Sequence, residues 1–335
     1  MATTEPTVDH FRLGLLFAVA SAFAFGSAGP FAKSLMEAGW SPTAAVTARL
    51  AGGALLMVTF ATIVKPDWLR EALQHVKTVI AYGLIPIAGA QLCYFNAVSH
   101  LSVGVALLLE YTAPILVVGW LWTTTRTRPS NLTLTGVALA IAGIMLVLNV
   151  FSGEHINLIG VGWALAAAVC AACYFMMSDE VAADGDGLNS ITLATAGLVV
   201  GAAAVGLLGA TGVMALSFTT NDAVVAGLTT SWVVPVIALA LIPTAIAYTL
   251  GIMGIARLRP RFASLVGLFE VMFAVLAAWV LLGEAITPIQ AIGGAVVLVG
   301  LVLARQGDRT DKLTDVTWPD GPVNGAPSGQ AVGRT

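Results

Sequence analysis

Runs of about 20 apolar residues, separated by short polar links, recur along almost the whole chain. A helix of that length spans the ~30 Å hydrocarbon core of a bilayer. The pattern predicts helices over about 13–33, 43–64, 78–98, 103–122, 131–151, 158–178, 190–211, 232–254, 262–282 and 286–304. The links are short and polar, except for a longer one at about 212–231 whose one charge is Asp222. Residues 1–12 are polar, and 305–335 are rich in Asp, Gly, Pro and Thr, a composition that predicts a disordered tail.

The second five runs repeat the first five. Leu84-Ile-Pro86 in the third run returns as Leu241-Ile-Pro243 in the eighth. Glu110 in the fourth has Glu270 in the ninth, and Gly136 and Gly143 in the fifth have Gly293 and Gly300 in the tenth, all at a spacing of about 160 residues. Five crossings is an odd number, so the second copy must enter the membrane from the opposite side. The expected fold is therefore an all-α membrane protein of ten transmembrane helices in two inverted five-helix repeats, 13–151 and 158–304.

Composition agrees with this class. Hydrophobic residues make up 58% of the chain and charged residues 10%, too few to cover a globule in water. Lys and Arg gather in alternate links (Lys65, Arg70, Lys77; Arg126, Arg128; Arg257, Arg259, Arg261), which by the positive-inside rule places both termini in the cytoplasm. The first run has no small-residue cleavage site behind it and is expected to remain as a span. No basic patch suggests nucleic acid as a partner. Cys93, Cys170 and Cys173 lie in apolar runs and read as small buried hydrophobes, with no second pair or His to complete a metal set. No cofactor is implied.

Within this apolar background the intramembrane charges stand out. A charge at the centre of a span costs roughly 2.5 kcal/mol or more unless it faces a partner or a water-filled cavity. Glu110 lies about seven residues into the fourth run, or ~10 Å, and Arg49 lies at nearly the same depth in the second. They are placed to pair or to share a cavity. Glu110 can carry a proton or hold a substrate amine, or form a structural ion pair with Arg49. Glu270 is its counterpart in the other repeat. Arg49 can hold a substrate carboxylate or a glutamate. Tyr111, Asn96 and Gln91 add polar groups to the pathway, and Tyr94, Tyr174 and Tyr248 are further candidates for its wall. Interhelical packing and hydrogen bonding explain these polar and aromatic residues as readily. Glu284 reads as a turn at a helix end.

These features resemble a ten-helix member of the drug/metabolite transporter superfamily, of the EamA type. The likeness rests on the five-plus-five repeat, on Thr47-Ala-Arg49-Leu50, on the short turn after the third helix, and on Leu282-Gly283-Glu284 followed by Pro288-Ile-Gln290. Leu109-Glu110-Tyr-Thr-Ala-Pro114 is similar to the Leu-Glu-aromatic-x-x-Pro segment of the threonine/homoserine exporter group. That resemblance implies proton-driven efflux of small polar metabolites such as amino acids. Two positions depart from the family pattern. Val271, Met272 and Phe273 follow Glu270 where the family often has Pro, and Phe25 stands where many members carry Trp.

A secondary transporter in the cell membrane leads, with a small molecule, protons and the lipid bilayer as partners and a homodimer left open. Amino acids or related compounds are the leading cargo, and sugars, nucleotide sugars or cationic drugs are the alternative. An intramembrane enzyme lacks a nucleophile–base set, since His10, His75, His100 and His155 all lie in links or at helix ends. A scaffold has no need of two mirrored gates.

Overall fold

The computed structural model describes residues 8–126, 128–148, 157–183, 188–255 and 269–315. Ten apolar helices account for most of them, six long and apolar enough to cross a membrane and four shorter. Helix one has two parts, Val8–Gly26 and Ala28–Glu37, and helix two is Pro42–Val64. Helix three runs from Val76 to Val98 and helix four from Val103 to Thr125, each with an interruption. Helices five, six and seven are Asn131–Val147, Leu158–Ala183 and Ser190–Ala210. Helix eight runs from Val233 to Ile255, helix nine is described over Phe269–Leu282, and helix ten is Pro288–Asp315. Side-chain caps fix several starts: Ser41 accepts from the Ala44 N–H, with Pro42 in the first turn, Ser130 from Thr133 and Asn189 from Ile191. Outward faces stay apolar, as at Leu55, Ile63 and Trp279, as a lipid-facing surface requires.

Several details depart from the sequence expectation. Helices three and eight are not regular. Each widens to a π-helix, Gly83–Gly89 and Leu241–Ile246, around its Leu-Ile-Pro. Proline has no N–H and its ring crowds the preceding turn, so a local change of pitch absorbs it. Helix four breaks after Glu110 and restarts at Ala113, with Pro114 in the new first turn. The link at 212–231 holds a hairpin of β1 (Ala223–Val225) and β2 (Leu228–Thr230). Ala226 and Gly227 both have positive φ, the requirement of a tight primed turn. Helix ten continues past Ala304 to Asp315, beyond the point where the sequence placed the start of the tail. The cluster Arg257, Arg259 and Arg261, the expected start of helix nine, the connector at the midpoint and residues 316–335 lie outside the described residues.

The packing obeys the repeat. Helix two packs on seven, four on nine and five on ten, each against its own counterpart. Three further pairings come in exchanged sets: one on eight with six on three, one on nine with six on four, and two on eight with seven on three. A pseudo-two-fold axis relating the halves produces this pattern. The five–ten seam shows the inversion directly. Gly136 faces Gly300 and Ala304, and Gly143 faces Gly293 and Val297, so the two helices run antiparallel. A Cβ at Gly136 would lie 2.3 Å from the Ala304 nitrogen, an approach that only glycine permits.

Polar ties fasten each end of the bundle. At one end, Glu284 follows Gly283 in the left-handed cap of helix nine. Its carboxylate pairs with Lys33 and accepts the Val103 N–H at 3.1 Å, while Lys33 also donates to the Leu101 carbonyl. Glu284 is thus more than a turn residue. It holds helices one, four and nine together. At the other end Glu71, on the surface helix Trp68–Gln74, pairs with Lys65 and accepts from the Asn189 N–H at 2.8 Å and the Thr192 hydroxyl at 2.6 Å. Burial opposes ionisation of Glu71, but the Lys65, Thr192 and Asn189 hydrogen bonds outweigh it and hold the carboxyl at about 2.

Candidate functional site

A cavity of about 360 Å³ lies inside the bundle, within the size range of small-molecule sites. Both intramembrane carboxylates face it: Glu110 at the end of the first part of helix four, and Glu270 in the first turn described for helix nine. The break in helix four is what frees this geometry. The Tyr111 N–H still bonds the Leu107 carbonyl, but the Thr112 N–H tightens onto Leu109 and the helix restarts from the Thr112 carbonyl. Glu110 lines the cavity, while the Tyr111 hydroxyl donates to Glu270 Oε2 at 2.7 Å. No hydrogen bond to the Glu110 carboxylate is formed among the described residues.

Around the carboxylates the walls are aromatic and lightly polar. Helix three supplies Tyr82, Pro86 and Gln91, helix six Tyr174, helix eight Tyr248, and helix one Ser21 and Phe25. Phe25 and Tyr248 meet edge to face, with ring centres 5.1 Å apart. The Ser21 hydroxyl donates to the Ala247 carbonyl, which fixes helix one against the turn that follows the π-helix of helix eight. The cavity occupies one half of the bundle. Helix one lines it over Ala18–Phe25 but not beyond, and helix three over Tyr82–Gln91 but not beyond. The continuation of both toward the Glu284 end is packed solid, with Ala32, Leu35, Phe95 and Val98 fully buried. A wider depression of about 600 Å³ over Pro66–Gln74 lies on the surface helix, away from both carboxylates.

Sequence reasoning placed these residues unevenly. Glu110, Glu270 and Gln91 share the cavity and Tyr111 touches it through Glu270. Asn96 does not join them. Its amide donates to the Leu92 carbonyl one turn back on its own helix. Tyr94 is buried outside the cavity, its hydroxyl close against Gly29. Arg49 forms no ion pair with Glu110 or Glu270. It donates to Gln91, to the Thr244 hydroxyl and to the Pro243 carbonyl, and its guanidinium lies 5.6 Å from the centre of the Phe95 ring. The reason is local. The π-helical turn of helix eight brings the Pro243 carbonyl and the Thr244 hydroxyl within hydrogen-bond reach of Arg49. Tyr82, Ser21 and Thr244 were missed. Position within a span does not reveal which face looks inward when every face is apolar, although Thr244 directly after an intrahelical proline was a usable sign.

Comparison with known proteins agrees with this architecture. The threonine/homoserine exporter RhtA of Escherichia coli K12 is 28% identical over 277 residues, which cover 81% of this chain and 84% of that protein. RhtA of Salmonella typhimurium LT2 is 28% identical over 301 residues, 88% of this chain and 90% of that protein. The uncharacterized inner membrane transporter YicL of Salmonella typhimurium LT2 is 26% identical over 169 residues, 49% of this chain and 56% of its own length. A solved protein crystal structure superposes with a TM-score of 0.59 at 19% identity, covering 90% of this chain and 99% of the other, a likeness of fold alone. The EamA-like transporter family matches residues 12–149 and again 158–306. With one copy in each mirrored half of a ten-helix bundle, the chain belongs to the EamA-like transporter family and is a multi-pass membrane transporter.

Proposed function

We propose that the protein exports amino acids or closely related small amines from the cytoplasm in exchange for protons, by alternating access. One observation carries the reading: Glu110 and Glu270, one from each inverted repeat, face a single cavity between the repeats. Two carboxylates in a low-dielectric space repel each other, so the site favours the arrival of a cation. Either a proton or the ammonium group of a cargo satisfies it. Competition between the two for the same carboxylates couples their movements without any further machinery. The likeness to threonine/homoserine exporters supports amino acids as the cargo. We place the termini and the Glu71 end in the cytoplasm, following the distribution of Lys and Arg. The cavity then faces inward.

The test is flux in liposomes carrying the purified protein and an internal pH dye, with a panel that includes threonine, homoserine, sugars and cationic drugs. Proton movement evoked by amino acids supports the proposal. Amino-acid uptake without proton movement removes the coupling, and no response to amino acids removes the cargo. Cationic drugs are the second reading. It is favoured by the walls, where Tyr82, Tyr174 and Tyr248 surround two carboxylates and the described lining holds no basic residue.

A further inference from the structure

Arg49 is 3% exposed, and it does not line the cavity. Its donors are used on three sides. Nε donates to Thr244 Oγ1 at 3.2 Å, Nη2 to the Pro243 carbonyl at 3.1 Å, and Nη1 to Gln91 Oε1. Each contact falls on or beside a proline-containing π-helix. Pro243 lacks the N–H that would bond the Leu239 carbonyl, and the Thr244 hydroxyl donates to that carbonyl instead, at 3.0 Å. Arg49 then donates to the same hydroxyl. On the other side, Gln91 stands just past the matching π-helix of helix three. One guanidinium therefore joins helix two to the irregular segments of both repeats.

The tie has no mirror image. Helix seven, the counterpart of helix two, contains no charged residue, and its Gly206 lies opposite Thr47. On the Glu284 side of Arg49 the structure is solid, with Ala44, Ala45, Val46, Phe95 and Val98 buried. Gln91 faces the cavity from above Arg49 and also holds it.

We infer that Arg49 is a positioning residue that bolts the floor of the cavity shut, and that Gln91 links the bolt to the cargo. Arg49 does not bind cargo in this closed arrangement. Opening toward the Glu284 end requires the guanidinium to leave Gln91 and the Pro243–Thr244 segment. This inference rests on the alternating-access reading above.

The test uses the full chain with Cys93, Cys170 and Cys173 replaced by alanine and a single new cysteine, Ala45→Cys, placed in nanodiscs so that both ends are accessible. The readout is the labelling rate with a membrane-impermeant maleimide. Arg49→Lys keeps the charge but loses the planar fork, and labelling is expected to accelerate about tenfold. Gln91→Met, which removes the partner rather than the cation, is expected to accelerate it as well, and it decides the question if Arg49→Lys does not fold. Unchanged labelling in a folded variant overturns the bolt. Kinetics separate the roles: a bolt changes the maximal flux with KM nearly unaltered, whereas a cargo ligand raises KM. A parent protein that moves no cargo defeats the transport proposal, while the labelling experiment still reads the bolt.

Discussion

Glu110 gives the sharpest residue-scale expectation. Glu110→Gln preserves size and hydrogen-bonding capacity but cannot exchange a proton, so the variant should reach the membrane in normal amount and lose proton-coupled flux. Normal coupled flux in liposomes would end its role as a carrier. Glu71 makes a different prediction, about pH. Its carboxyl is held at about 2 in the fold against an ordinary value of 4.5. A depressed value means that ionised Glu71 stabilises the fold at pH above about 4.5, and that this contribution fades as pH falls toward 2. Melting temperatures of parent and Glu71→Gln should therefore differ at neutral pH and converge in acid. Glu110 and Glu270 were legible in the sequence because a charge in an apolar run contrasts with everything around it. The partners of Arg49 were not. Depth along the chain places it to pair or to share a cavity with Glu110, whereas the Pro243 carbonyl and the Thr244 hydroxyl come within its reach only once helix eight is folded.

At the scale of elements, the two π-helices are the chain's most repeated irregularity. Pro243→Ala restores an N–H that competes with Thr244 for the Leu239 carbonyl. Helix eight should become more regular and more stable, and the Thr244 hydroxyl should loosen from its place. The expected outcome is a higher melting temperature with slower flux. Equal flux would show that the irregular turn is only a packing solution. Helix existence was readable from run length because the bilayer sets a minimum span. The break in helix four and the hairpin Ala223–Thr230 were not. The first depends on backbone geometry around Pro114. The second is a short pair whose Ala226 N–H is anchored by the carbonyl of Leu281, far away in sequence.

For the whole molecule, the inverted repeat expected from three sequence matches is present in the main helix pairings, two on seven, four on nine, five on ten and one on eight with six on three. Its two ends are tied by Lys–Glu pairs of similar design, each carboxylate also capping the start of a helix. Glu284→Ala should expose the amides at the start of helix four to faster hydrogen exchange and leave those at the start of helix seven unchanged. Protection at the start of helix four unchanged from the parent would show that the Glu284 tie contributes nothing to closure at its end.

The glycine seam between helices five and ten bears on how such a switch could be measured. Backbones that touch at Gly136, Gly143, Gly293 and Gly300 have no slack in which to slide. Helices five and ten should behave as a keel, fixed while the helices around the cavity tilt against it. Spin labels on the lipid-facing side of that keel would supply an internal ruler, and distances from it to labels on helices one and eight would record each state in a common frame.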